Sequence, residues 1–280
     1  ELEVARPLAC MVRGRIPLPA AAPPPLALQD EVILGYDVHR YPFASALLPM
    51  LQEGPDCDLA RLHDTDFGKQ ITQTFRRRTN IDALGPRGNP WNRRYQSCMQ
   101  RDTASFTAFQ ELYHRFLRDF VLPHMGTRRL AFQSQPTFRC HLPNTGAPGR
   151  PHRDEDYDHP RCEVNFWIPV TDVFGSNSLY AESRRDAGDF RAFELGNGQL
   201  VRFYGNQVWH YTLPNETDVT RVSIDFRVIR EEEWSMAAFC RFQLGRYYAV
   251  MTSDGLLPSH SAELQQLRAQ YGNDLKPPKE

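Results

Sequence analysis

The clearest periodicity in the chain lies in Thr103–Val121. Phe106, Phe109, Leu112, Tyr113, Phe116 and Phe120 recur at steps of three and four and make one apolar stripe. The spacing predicts a helix whose aromatic face braces a core. A second helical pattern runs over Asp66–Arg78, with Phe67, Ile71 and Phe75 four apart and a basic end at Arg76-Arg77-Arg78. Phe43–Gln52 reads as a short helix after an extended Val32–Val38. Gly85–Trp91 reads as a Gly/Pro/Asn loop.

After Pro123 the period changes. Leu130–His141 reads as one long strand, and the Gly/Pro-rich 144–151 as a loop. Cys162–Val173 is apolar and extended. Ser178–Glu182, Phe190–Leu195, Gly198–Tyr204, Val208–Leu213 and Thr220–Arg230 read as further strands with turns between them. Short strands at this spacing predict a sandwich or barrel-like jelly roll. Glu231–Val250 and Ser261–Tyr271 read as closing helices. The fold class expected is mainly β with flanking helices.

Composition bounds the rest. Residues 1–30 are rich in Pro and Ala and predict an extended arm with little to pack. Residues 31–280 are expected to form one domain, with its β core at about 129–230. A hydrophobic share of 41% suits an ordinary globular chain. The formal net charge of −1 advertises neither nucleic acid nor an anionic membrane. No stretch reaches the roughly eighteen apolar residues of a spanning helix. Six cysteines lie at 10, 57, 98, 140, 162 and 240 with no Cys-x-x-Cys, which argues against structural zinc. They read as free thiols in a reducing compartment, so an intracellular, cytoplasmic location is expected. The chain opens on Glu1 and not Met, which leaves room for a removed targeting peptide. The oligomeric state is not legible.

The chemistry sits in an ordered set of polar residues. His152-Arg153-Asp154 offers an imidazole and a carboxylate on one side of an extended segment. His210 follows in a strand rich in aromatic residues and closes a possible two-His, one-carboxylate face. Such a face leaves open positions, the pattern of non-haem Fe(II) oxygenases that bind O2 and an electron-donating co-substrate. Arg221 lies eleven positions after His210, and Ser223 shares its strand face. A guanidinium beside a hydroxyl suits a dicarboxylate such as 2-oxoglutarate. The bland alternative is a polar loop, a satisfied core histidine and a surface ion pair at Arg221. A calcium loop at 154–158 is a further alternative, but it lacks the Gly-centred spacing of an EF-hand.

Neighbouring polar residues extend this candidate site. Arg221, Ser223, Asp225 and Arg227 share one strand face, opposite Val222, Ile224, Phe226 and Val228. Two arginines there are costly to bury unless paired. A bound dicarboxylate would pair them, and so would Asp225. Asn165 is placed to bond the co-substrate. Arg139, Tyr157, Glu182 and Arg227 are the residues expected around a substrate, although Arg139 could equally snorkel to the surface. His159 reads either as a mouth residue or as part of a solvated loop.

These residues carry a resemblance. HRDEDYDH (152–159), EVNFWIPVTDV (163–173), SLYAES (178–183), GNQVWHYTLPNETDVTRVSIDFRVI (205–229) and FQLGRYY (242–248) resemble the iron(II)/2-oxoglutarate-dependent oxygenases. Within them the chain is most similar to the phytanoyl-CoA-dioxygenase-like group, and there to the streptomycin-biosynthesis oxygenase-like branch. The resemblance covers about a third of the chain well, from roughly 136 to 228. It implies a double-stranded β-helix (jelly-roll, cupin-like), His152, Asp154 and His210 as iron ligands, and Arg221 as the 2-oxoglutarate anchor. It implies Fe(II), 2-oxoglutarate and O2 as cofactor and co-substrates. Related halogenases lack the carboxylate, so Asp154 implies hydroxylation, desaturation or cyclisation. The expected reaction is hydroxylation of a small polar metabolite with release of succinate and CO2, without a membrane. Two other readings stay open. The Arg221-x5-Arg227 pair also resembles the AlkB-type nucleic-acid demethylases, with Arg76–Arg78, Trp91 and Arg93–Tyr95 as a track for phosphates and bases. The third is a non-catalytic jelly-roll binding module.

Overall fold

The computed structural model describes residues 23–76, 89–237 and 242–271. Most of the Pro/Ala-rich arm, Arg77, Arg78 and the start of the 85–91 loop lie outside the described residues. The helices are α1 (Leu26–Gln29), α2 (Phe43–Leu47), α3 (Asp66–Arg76), α4 (Pro90–Gln100), α5 (Ala104–Phe116), α6 (Leu122–Met125), α7 (Trp234–Ala237) and α8 (Ala262–Tyr271). The strands are β1 (Val32–Gly35), β2 (Arg129–Gln133), β3 (Thr137–His141), β4 (Val164–Pro169), β5 (Leu179–Ala181), β6 (Arg191–Ala192), β7 (Gln199–Phe203), β8 (His210–Thr212), β9 (Arg221–Arg230), β10 (Tyr248–Thr252) and β11 (Gly255–Leu256). Among the described residues no helix is long and apolar enough to cross a membrane.

Two antiparallel sheets form a jelly-roll core. The larger follows the order β1-β7-β4-β9-β2-β10-β11, and β3 also pairs with β9. The smaller is β6-β5-β8. β9 is the axis of the fold. Along one edge it pairs with β4 from Ser223 to Val228. Along the other it pairs first with β3 and then with β2.

Alternation on β9 assigns its faces. Val222, Ile224, Phe226 and Val228 are buried in the main core, beneath the helices. Phe226 stacks on Phe166 at 5.4 Å and meets Tyr113 of α5 edge-on at 5.1 Å. The α5 stripe predicted from periodicity is buried, and Thr103 caps the helix by accepting from the Phe106 N–H. The opposite face of the sheet, with Trp167, Val201 and Phe203, packs toward the small sheet through Ala181, Phe193 and Val208. The polar residues of β9 open into the space between the sheets.

Four expectations need correction. Leu130–His141 is two strands, because Ser134-Gln135-Pro136 breaks the ladder and Pro136 has no N–H to donate. Pro90–Gln100 is a helix where a loop was expected to reach Trp91. There Asn89 acts as a cap, accepting from the N–H groups of Trp91 and Asn92, and Pro90 sits at the first helical position. Glu231–Val250 is not one helix. Among its described residues it holds α7 after a single turn, and Tyr248–Thr252 adds to the sheet beside β2. Gly245, at φ +79, makes the turn that sends the chain back to that edge. Phe190–Leu195 shrinks to the two residues of β6 and one bridge from Leu195 to Val173.

Candidate active site

The loop before Asp154 lies against β8. His152 and His210 exchange backbone hydrogen bonds, His152 N–H to His210 O at 3.2 Å and the reverse at 3.0 Å. Each ring is turned by a backbone carbonyl. The His152 Nδ1 lies 2.8 Å from Arg150 O, and the His210 Nδ1 lies 3.0 Å from Val208 O. An Nδ1–H donated to a carbonyl leaves Nε2 as the free lone pair. Both Nε2 atoms face Asp154 Oδ1, at 3.7 and 3.9 Å. One ligand atom from each of the three residues lies within 4.8 Å of the others, close enough to share one ion. Burial and the neighbouring His152 lower the His210 pKa to about 4, so the ring stays neutral, the form a metal needs.

Asp154 opens a 3-10 turn, Asp154–Tyr157, with its N–H bonded to Gly205 O. It is buried. Burial works against its charge, but Arg227 outweighs it and holds the carboxyl well below the usual range. The Arg227 fork is bidentate, Nε to Oδ2 and Nη2 to Oδ1, both at 2.8 Å. Asn165 Nδ2 donates to the same Oδ2 at 2.6 Å. Gly205 permits this contact. A Cβ there would lie 2.8 Å from the Asn165 amide.

Arg221 lines the same cleft as the two histidines. It is 0% exposed. Its Nε, Nη1 and Nη2 and the Ser223 Oγ have no hydrogen-bond partner among the described residues. Burial, with Arg139 adding repulsion, pulls the guanidinium down to about 9. A buried, orphaned cation beside an orphaned hydroxyl is a cradle for an anion. The cleft it lines together with both metal-facing histidines is open to solvent.

The other expected residues fall in different places. Asn165 reaches Asp154, while its Oδ1 is left without a partner among the described residues. Arg139 lines the cleft and pairs with Asp225 at 3.3 Å. Arg227 lines it too, but its fork is committed to Asp154. Tyr157 is 50% exposed and stands edge-on to His152. Glu182 is buried outside the cleft. It accepts from the N–H groups of Trp209, Asp186 and Gly188 and so pins the 183–189 loop. His159 stays out of the metal group, bonded to buried Glu163 and stacked on Phe242 at 3.9 Å. Arg150 was missed as a cleft residue. Its signal was available, a cation two positions ahead of His152. Of the track expected for nucleic acid, the side chains of Arg76–Arg78 lie outside the described residues, and the described part is not open to bases. Trp91 and Tyr95 are buried, and Arg94 is tied to Glu53. Among the described residues, Cys57, Cys98, Cys140 and Cys162 are free thiols.

No protein-family model matches the chain. The streptomycin biosynthesis protein StrG of Streptomyces griseus is 30% identical over 225 residues, covering 77% of this chain and 96% of that protein. Among solved structures, the nickel complex of the non-haem monooxygenase ThoJ is 11% identical, with a TM-score of 0.37 over 81% of this chain and 77% of its own. The α-ketoglutarate-dependent carbocyclase SnoK from nogalamycin biosynthesis is 16% identical, with a TM-score of 0.36 over 45% and 62%. An oxidoreductase of the 2OG-Fe(II) oxygenase family from Burkholderia pseudomallei is 16% identical, with a TM-score of 0.35 over 45% and 56%. The chain belongs to the family of the streptomycin biosynthesis protein StrG.

Proposed function

We propose that this protein is an iron(II)/2-oxoglutarate-dependent non-haem oxygenase that uses O2 to hydroxylate a small polar metabolite at an unactivated carbon. One atom of O2 enters the product alcohol and the other enters succinate, while 2-oxoglutarate loses CO2. The observation that carries the reading is the orphaned Arg221 guanidinium lining one cleft with His152 and His210 of the His152, Asp154 and His210 group, with the orphaned Ser223 hydroxyl two positions along its strand. Two imidazoles and a carboxylate fit Fe(II) and leave neighbouring positions open. Bound iron would supply the redox chemistry that activates O2.

The chain's own residues do the rest. His152, Asp154 and His210 hold the metal. Arg221 and Ser223 take the far carboxylate of 2-oxoglutarate. Arg227 and Asn165 keep Asp154 ionised and oriented. Trp167, Leu179 and Phe203 give the cleft apolar walls that exclude water. Arg139, which lines the cleft, would contact the substrate, and Tyr157 would do so from beside His152. StrG's place in antibiotic biosynthesis supports a small-molecule substrate.

Anaerobic titration with Mn(II) and then 2-oxoglutarate tests the assignment. Tight uptake of both by the wild type is expected, with metal uptake lost in folded His152→Ala and His210→Ala proteins. Unchanged metal affinity in both variants would sink it. Succinate release is then followed with amino acids, sugars and amino sugars, and separately with methylated oligonucleotides. Turnover confined to the oligonucleotides would replace the small-molecule reading.

A further inference from the structure

The charge balance of the cleft points to the chemistry of its substrate. Four guanidiniums line it, Arg139, Arg150, Arg221 and Arg227. Two carboxylates answer them, Asp225 on the wall and Asp154 behind the histidines. Four cations against two anions leave an excess of two. A divalent metal and the dianion of 2-oxoglutarate cancel each other, so loading the site does not remove that excess. Acidic residues nearby do not remove it either. Buried Glu163 lies 3.7 Å from Arg227 but is bonded to His159, and burial pushes its carboxyl up toward the neutral form. Glu155 is taken by Arg185, and Asp186 by Arg153.

The excess is concentrated in two side chains. Arg221 is matched by the co-substrate and Arg227 by Asp154. Arg139 gives only its Nε to Asp225, and neither Nη has a hydrogen bond among the described residues. Arg150 is exposed and makes no ion pair among the described residues. It stands on the loop that delivers His152, at the opening of the cleft. Guanidinium forks bind phosphate and carboxylate oxygens in pairs. A partly enclosed chamber with unbalanced positive charge favours an anionic occupant over a neutral or cationic one.

We infer that the substrate is a small metabolite carrying a phosphate or carboxylate group, held by Arg139 and Arg150 while its reacting carbon faces the metal. The inference rests on the metal and 2-oxoglutarate assignment proposed above. A phosphate monoester, with about −1.5 to −2 charge near pH 7, offsets the excess most fully.

Calorimetric titration of the Mn(II)- and 2-oxoglutarate-loaded protein under argon tests it. The probes are inorganic phosphate, a hexose 6-phosphate, a hexuronate, the neutral hexose and a hexosamine. Binding of the phosphate or carboxylate forms is expected at least about tenfold tighter than binding of the neutral sugar or amine. The phosphate and carboxylate arms show which anion is preferred. Arg150→Gln and Arg139→Gln should each weaken anion binding by about tenfold. Metal and 2-oxoglutarate affinity should stay within about twofold in Arg150→Gln. Equal or tighter binding of the neutral sugar or amine, or anion binding indifferent to both substitutions, overturns the inference and leaves the cofactor assignment standing. A wild type that takes up neither Mn(II) nor 2-oxoglutarate overturns both.

Discussion

Replacing Arg221 with Met should make the ligand-free protein more stable and blind to 2-oxoglutarate. The guanidinium is fully enclosed, and no described residue bonds any of its nitrogens. Its pKa is pulled to about 9, chiefly by burial and next by Arg139. That drop from the ordinary guanidinium value corresponds to about 5 kcal/mol set against the charged form. Met fills similar space without charge. Part of the gain is offset, because the Ser223 hydroxyl stays orphaned and a thioether packs imperfectly there. A net gain of about 2–3 kcal/mol remains as the working figure. For a chain of this size about 1 kcal/mol moves Tm by roughly 2–4 °C. The ligand-free variant should therefore melt roughly 5–10 °C above wild type. With Mn(II) present, 2-oxoglutarate at about 100 times its Kd should add about 2.7 kcal/mol to the wild type and nothing to the variant. Scanning calorimetry with and without 2-oxoglutarate reads both effects. A ligand-free variant that melts below wild type, or one that still gains from 2-oxoglutarate, would refute the reasoning.

Arg227→Met removes the counter-charge of a buried carboxylate and should cost the metal-free protein about 3–5 kcal/mol. Mn(II) should restore most of that loss by replacing the guanidinium as Asp154's partner, and an equal loss with and without metal in thermal melts would count against the pairing. Gly205→Ala drives a methyl into the Asn165 amide and should weaken metal binding by roughly 10–100-fold, as loss of an outer hydrogen bond does. Wild-type affinity would show that Asn165 does not orient Asp154. Stability should also fall with acid. Burial, first among the causes in each case, lowers His210 to about 4 and His141 to about 3. The unfolded chain takes up these protons near pH 6.5 and the folded chain resists them, so stability is full above about 6.5 and declines as pH drops toward 4 and 3. For His210 the loss is roughly 3 kcal/mol, and denaturant midpoints that stay flat from pH 6.5 to 4 would contradict it.

Much of the site was legible because it depends on parity. Residues 221, 223, 225 and 227 share a face on any strand, and their polar character against an apolar opposite face marks the polar side of the sheet from sequence alone. The His-x-Asp was legible for a related reason, since a short extended approach needs few residues to aim two side chains together. Partner choice was not legible. Arg227 could have met Asp225 or a ligand, and only the register of β9 against β4 brings it to Asp154. Asn165 went to the carboxylate for the same reason. Glu182 looked like a polar residue lost in an apolar strand. Its role is to collect loop N–H groups, which depends on how the chain folds back at 183–189. The errors in secondary structure share one cause. Tyr248–Thr252 and Pro90–Gln100 are short segments whose state was decided by a neighbouring sheet edge and by a capping side chain, neither visible in periodicity.

The ten-residue β9 has a further consequence, in the order of assembly. β2, β3 and β4 are all made before it, yet each needs it as a hydrogen-bonding neighbour. β1 likewise waits for β7, which lies more than 160 residues further along. Until residue 230 has left the ribosome, the nascent chain exposes unpaired, strongly apolar strand edges, among them the fully buried Val164–Pro169. Such long-range pairing folds slowly and invites aggregation in the interval. Recombinant yield of this protein should therefore respond to slower synthesis, lower temperature and co-expressed chaperones far more than to changes at its surface.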